Sequence, residues 1–164
     1  ANESVDGVRL QEMAALQDSA LITVAIDSEE TLQAAHAAGI QHVLIDVNVG
    51  LPRCGIAPEL AGSLADKARS LGKTVRGVMG YEGHLMMVAE HSERLAKVEA
   101  CMALLRSAAN DVGGEIISAG GTGTFNLHDN TGVTCSGRVH MDNREDISCV
   151  QYLQGGSHKT IRTD

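Results

Sequence analysis

The chain has 164 residues, the length of one ordinary domain, with 43% hydrophobic and 21% charged residues, enough for a packed core. A net charge of −8 argues against nucleic acid or an anionic membrane as the main partner. No apolar run approaches the roughly 20 residues of a membrane span. The start, Ala1-Asn2-Glu3-Ser4, has neither the basic nor the apolar stretch of a signal peptide, so a cytoplasmic protein is expected.

With no Trp, one Phe and two Tyr, the core must be aliphatic, which suits helices packed on a parallel sheet. Residues 6–16 read as a helix with Val8, Met13 and Leu16 apolar. Leu21 to Ala25 is a continuous apolar run, as in a strand buried on both faces. Asp27 or Ser28 then caps a helix through Ala38, and Gly39 stops it. A second strand is expected over 42–49, a helix over 57–71 and a third strand over 74–79. Residues 84–109 hold one long helix or two, and 115–118 a fourth strand. Strand and helix alternating in roughly 30-residue steps predict βαβ units and a parallel sheet. From residue 126 the chain is polar and without helical period, so a division is expected there, with short strands or irregular structure beyond it.

Three loops carry chemistry. In parallel α/β folds, ligand-binding loops lie at the carboxyl ends of the strands. The second strand runs into Leu51-Pro52-Arg53-Cys54-Gly55, and the third into Gly80-Tyr81-Glu82-Gly83-His84. The fourth opens into Gly120-Gly121-Thr122-Gly123-Thr124, where bare backbone N–H groups and hydroxyls are the ingredients of a phosphate cradle. An arginine, a Tyr/His pair and the glycine run are thus expected on one rim.

The segments Asp46 to Gly55, Gly77 to His84 and Ser118 to Thr124 resemble, in order and spacing, the D-threonine aldolase/D-serine dehydratase family. That family belongs to the alanine-racemase-like pyridoxal phosphate (PLP) enzymes. The resemblance implies an α/β fold that is part of a PLP-binding (β/α)8 barrel over residues 1–125. It implies remnants of a C-terminal β-domain over 126–164, where Gly132-Val133-Thr134, Met141-Asp142 and the last nine residues match in pieces. By resemblance, the PLP phosphate would rest on Gly121, Thr122 and Gly123, with Thr124 nearby. Arg53 would lie by the phenolic oxygen of the cofactor, Tyr81 would line the pocket, and His84 would stand near it. The implied reaction is lyase chemistry, aldol cleavage or dehydration, on a small D-configured β-hydroxy amino acid, with Tyr81 and His84 as the catalytic candidates. A family-type divalent metal and a homodimer are also implied.

The family's Schiff-base lysine lies ahead of the matched region, and its metal ligands lie beyond the last residue here. Lys67 and Lys97 fall on helices, Lys73 lies on the opposite rim, and Lys159 matches a position that is not the Schiff-base residue. No residue of this chain is therefore expected to bind the metal. The four expected strand–helix units also fall short of a barrel, which needs roughly 250 residues. These departures keep open a non-catalytic PLP- or phosphate-binding barrel. Plainer readings apply to single residues: Arg53 as a partner for a carboxylate, Tyr81 and His84 as an ordinary turn, and Glu82 as a surface charge. Cys54 and the pair Met86-Met87 read as packing. The cysteines show no CxxC, and His128, His140 and His158 follow no metal-ligand spacing.

Overall fold

A computed structural model describes residues 3–121 together with 123, 124, 127, 128, 134 and 135. Helix α1 (Gly7–Ala14) starts where the Asp6 carboxylate accepts the N–H groups of Val8 and Arg9, at 3.1 and 3.2 Å. It buries only Leu10, whereas Val8 and Leu16 of its expected apolar face are 68% and 55% exposed. Strand β1 (Thr23–Ile26) begins two residues later than the apolar run, leaving Leu21 exposed. Helix α2 (Glu29–Ala37) opens on a reciprocal cap. Ser28 Oγ accepts from Thr31 N–H at 3.2 Å, and Thr31 Oγ1 accepts from Ser28 N–H at 3.1 Å.

Strand β2 (His42–Asp46) is shorter than the expected 42–49: Val47 N–H still donates to the Met79 carbonyl at 2.8 Å, but Val47 bridges Ile56 of the following loop. The expected helix over 57–71 is a 3₁₀ turn, Pro58–Leu60, that runs into α3 (Ala61–Ser70). Strand β3 (Thr74–Met79) follows. Helix α4 (His91–Val112) is a single element that starts at 91 rather than 84. Its start is set by Glu90, whose carboxylate accepts from Ser92 N–H at 3.1 Å and Glu93 N–H at 2.6 Å. The Ser92 hydroxyl, which donates to the same carboxylate at 2.6 Å, and then those N–H bonds hold the Glu90 carboxyl down at about 2. A 3₁₀ turn, Gly83–Leu85, occupies the interval that sequence periodicity joins to the helix. Strands β4 (Ile116–Ala119) and β5 (Thr134–Cys135) complete the described elements.

All five strands run parallel in the order β1-β2-β3-β4-β5. Consecutive parallel neighbours with helical crossovers form an arc of a (β/α) barrel, since right-handed crossovers that step in one direction keep the helices on one side. The aliphatic core lies between sheet and helices. Val43, Ile45 and Val78 meet Leu64, Ala65, Val98, Met102 and Leu105 there, all at 3% exposure or less. Most of the region expected as a second unit from residue 126 lies outside the described residues; within it, β5 pairs with β4 in this sheet. No described helix is long and apolar enough to cross a membrane.

The register across the middle strands places the functional rim. Val43 pairs with Val75 but Ile45 pairs with Val78, so β3 takes one extra residue between them. Gly77 lies in that bulge at φ +141, and a Cβ there would stand 2.0 Å from the Ile116 carbonyl oxygen. Gly72, which ends α3 at φ +76, has nothing within 4 Å of such a Cβ. Two glycine substitutions therefore separate strain from collision. Gly72→Ala is expected to cost about 1 kcal/mol, the left-handed backbone penalty alone. Gly77→Ala is expected to cost roughly 3 kcal/mol or more, because backbone must move. Urea denaturation of the two variants beside the parent checks the ordering.

Candidate active site

Asp46, Met79 and Ser118 pair in one row across β2, β3 and β4, so the loops that follow leave the sheet at one level. The first loop is held by its own polar groups. Asn48 Oδ1 accepts from Gly50 N–H at 2.8 Å, and Asp27 Oδ2 accepts from Gly55 N–H at 3.2 Å. This loop carries Arg53 out to the rim, where the guanidinium carbon stands 5.2 Å from the Tyr81 ring centroid. Asp46, Asn48, Leu51, Arg53, Cys54 and Tyr81 line a small cleft there.

The second loop brings His84 against the first. A Cβ on Gly50 (φ +126) would come within 3.0 Å of the imidazole, so the two loops touch backbone to ring. His84 is exposed and Tyr81 half-buried. The glycine run closes the third side, where a Cβ on Gly121 would lie 2.8 Å from Tyr81 Cε2 and 2.8 Å from Met86 Cε. Arg53, Tyr81, His84 and Gly121 are thus brought to one rim.

The remaining residues of the glycine run behave differently. Gly121 N–H donates to Thr124 Oγ1 at 3.1 Å, and Thr124 N–H donates back to the Gly121 carbonyl at 3.1 Å, a closed turn. Thr124 is fully buried, and its hydroxyl donates to Glu82 Oε1 at 2.5 Å. Gly123 N–H points at the Met86 thioether, 3.1 Å away. Thr122 lies outside the described residues, as do His140, His158 and Lys159. Met86 packs under the turn as expected, but Met87 is 91% exposed, because the 3₁₀ turn before it directs only one of the pair inward.

Two functional groups escaped the sequence reading of single residues. Glu82, expected as a surface charge, is 0% exposed and bonded to Thr124, Gly120 N–H and His128. Asp46 is 4% exposed at the floor of the cleft, with Glu3 and Cys54 beside it; their potential ligand atoms lie within 4.8 Å of one another. Burial, then the bond to Glu3 and its charge, push the Asp46 carboxyl up to about 8. Burial likewise raises the Cys54 thiol, although Arg53 beside it acts in the opposite direction. Asp46 therefore keeps its proton at neutral pH, beside an exposed guanidinium that stays charged. The sequence signal for Asp46 was its place as the last residue of a buried strand; for Glu82 it was flanking by Tyr81 and Gly83, which marks a tight loop but not its direction.

The raised Asp46 carboxyl fixes a sign. Its contribution to stability is fully present below the unfolded value near 3.8 and is lost as pH rises through about 8, since the folded state holds a proton that the unfolded chain releases. Asp46→Asn removes that titration. The expected result is a variant less sensitive to pH between about 4 and 8, gaining on the parent toward the alkaline end; urea midpoints at pH 5 and pH 8.5 measure it.

The family model for the alanine racemase N-terminal domain matches residues 4–136. The 3-hydroxy-D-aspartate aldolase of Paracoccus denitrificans (strain Pd 1222) is 25% identical over 158 residues, covering 86% of this chain and 41% of the relative. The D-threonine aldolase of Arthrobacter sp is 32% identical over 148 residues, covering 81% and 38%. The chain thus spans about two fifths of the length of these relatives. Among solved structures, the D-threonine aldolase of Filomicrobium marinum superposes with a TM-score of 0.68 at 30% identity, over 80% of this chain and 39% of that one. The D-threo-3-hydroxyaspartate dehydratase of Delftia sp. HT23 gives 0.70 at 20% identity, over 84% and 40%, a likeness of fold. With a parallel arc, a rim of three converging loops and a family match over most of its residues, the chain belongs to the alanine racemase N-terminal domain family.

Proposed function

We propose that the protein works as a PLP-dependent lyase on a small D-configured β-hydroxy amino acid, by aldol cleavage or by dehydration. Family membership and the aldolase relatives support the reaction class. The observation that carries the reading is the Arg53 guanidinium over the Tyr81 ring at the mouth of a cleft floored by buried Asp46. A planar cation on a phenol ring suits an anionic, planar, aromatic ligand.

The residues fit the cofactor unequally. The ring end fits, with Arg53 as the cationic contact for its phenolic oxygen and Tyr81 along its side. At the phosphate end, Thr124 and Gly121 are bonded to each other, and Thr124 and Gly120 to Glu82, so they shape the turn. Among the described residues, Gly123 N–H meets a thioether, and sulfur is a weak acceptor. A phosphate oxygen in its place would make a stronger, charge-assisted bond. When bound, PLP supplies an electron sink for the pair left at Cα when a bond there breaks. Arg53 then orients the ring, and His84 stands at the rim to exchange a proton with the β-hydroxyl. Cleavage needs a base to take that proton, whereas dehydration needs an acid to protonate the departing oxygen. Asp46, holding its proton, is placed to donate rather than accept.

One observation favours the non-catalytic alternative. Among the described residues, no lysine lines the cleft. Lys67 pairs with Glu29, Lys97 with Glu93 at 2.6 Å, and Lys73 donates to the Ile40 carbonyl at 2.8 Å. The experiment is incubation of the purified protein with PLP and either D-threonine or D-3-hydroxyaspartate, with glycine and ammonia followed together. Glycine release identifies cleavage and ammonia release identifies dehydration. Tight PLP binding with neither product moves the protein to the binder reading. Arg53→Ala is expected to weaken PLP binding by about tenfold to a hundredfold. Arg53→Lys is expected to restore little, because a point charge cannot reproduce the stacked plane. Equilibrium dialysis with PLP measures both.

A further inference from the structure

Glu82 belongs to the Tyr81–His84 loop, yet its carboxylate reaches across to the glycine turn and just past it. Oε2 accepts from Gly120 N–H at 3.2 Å, and Oε1 accepts from the Thr124 hydroxyl at 2.5 Å. His128 Nε2 lies 3.0 Å from Oε1, with both side chains at 2% exposure or less. A single carboxylate therefore ties the residue that enters the turn, the residue that leaves it, and a histidine four positions further on. The turn closes on itself through the two bonds between Gly121 and Thr124. Among the described residues, the N–H groups of Gly120, Gly121 and Thr124 have oxygen acceptors, whereas that of Gly123 has the Met86 thioether.

Burial alone would raise the Glu82 carboxyl, but the bonds from His128 and Thr124 outweigh it and hold the group below the usual carboxylate range. An ionised carboxylate is the right hub here, because Gly120 N–H and the Thr124 hydroxyl both approach as donors. A glutamine amide in its place would turn a further donor toward Gly120 N–H or Thr124.

We propose that Glu82 is a positioning residue for anion binding at the Gly120–Thr124 turn. It touches no ligand; by holding Gly120 and Thr124 it keeps the turn in the shape in which Gly123 N–H can exchange the Met86 thioether for a phosphate oxygen. A donor aimed in advance spares the ligand the cost of ordering the loop. This inference rests on the phosphate-ester reading of the site given above.

The test compares PLP with pyridoxal, which has the same ring and no phosphate, by equilibrium dialysis against the full chain. The parent is expected to hold PLP more tightly than pyridoxal. Glu82→Gln is expected to weaken PLP about tenfold, the size of one charge-assisted hydrogen bond, with pyridoxal unchanged. Thr124→Val, close in shape and without the hydroxyl, is expected to do the same, and Thr124→Ser to rescue most of the loss. A merely structural role would lower both ligands by one factor. That result, or equal discrimination in parent and variants, overturns the inference about Glu82. If the parent itself fails to discriminate between the two ligands, the phosphate reading of the site falls, and this inference with it.

Discussion

The rim depends on one extra residue in β3. Because β3 advances three positions between Val75 and Val78 while β2 advances two, Asp46, Met79 and Ser118 come into line. Without that bulge, Asp46 would face the position of Val78, and every side chain beyond it would change faces, since strand side chains alternate with a period of two. The bulge in turn requires a residue without Cβ at position 77, where the Ile116 carbonyl fills the space. The site is thus set first by backbone geometry and only then by side-chain chemistry.

The electrostatics of the rim resolve an apparent conflict between an acidic chain and an anionic ligand. Three carboxyl groups lie close to the cleft, and each is occupied. Asp46 is buried and shares a hydrogen bond with a fourth, Glu3, which together push its carboxyl up, Glu82 is saturated by donors, and Asp27 accepts from Gly55 N–H and from the Thr31 hydroxyl, each at 3.2 Å. The Arg53 guanidinium is exposed toward a ligand, kept charged by Cys54 first and then by Tyr81 and Glu3. A chain of net charge −8 can therefore present a locally positive edge, because field strength at a site is set by nearby uncompensated groups rather than by the total.

Much of the arc could be read before any coordinates. Apolar runs bounded by glycine placed the strands, and Ser28 and Gly39 marked the ends of α2, because caps and buried parallel strands are local in origin. The start of α4 was misplaced by seven residues because Leu85 and Met86 continue its apolar spacing, whereas the Glu90 carboxylate sets the true beginning. Periodicity cannot see a cap that interrupts it. The meeting of Arg53, Tyr81, His84 and Gly121 followed from a topological rule about strand ends. The burial of Glu82 did not, because its partners Gly120, Thr124 and His128 lie 38 to 46 positions away and no spacing announces them.

The glycine run shows how far composition alone carries a site. Its bareness suggested close approach by a ligand, yet the space a Cβ would need at Gly121 is filled by Tyr81 and Met86, and at Gly123 Met86 stands within 3.2 Å. These glycines first serve the packing of one loop on another. A missing Cβ is therefore equally consistent with a phosphate and with a tyrosine, and cannot distinguish them. The donor inventory can. A turn built only for packing gains most when every N–H finds a good acceptor, since an unsatisfied buried donor costs about 1–3 kcal/mol. Among the described residues of the turn, Gly120, Gly121 and Thr124 each have an oxygen, and Gly123 has sulfur. The departure from full satisfaction falls at the half-buried point of the turn, where an anionic oxygen would gain most by replacing the thioether.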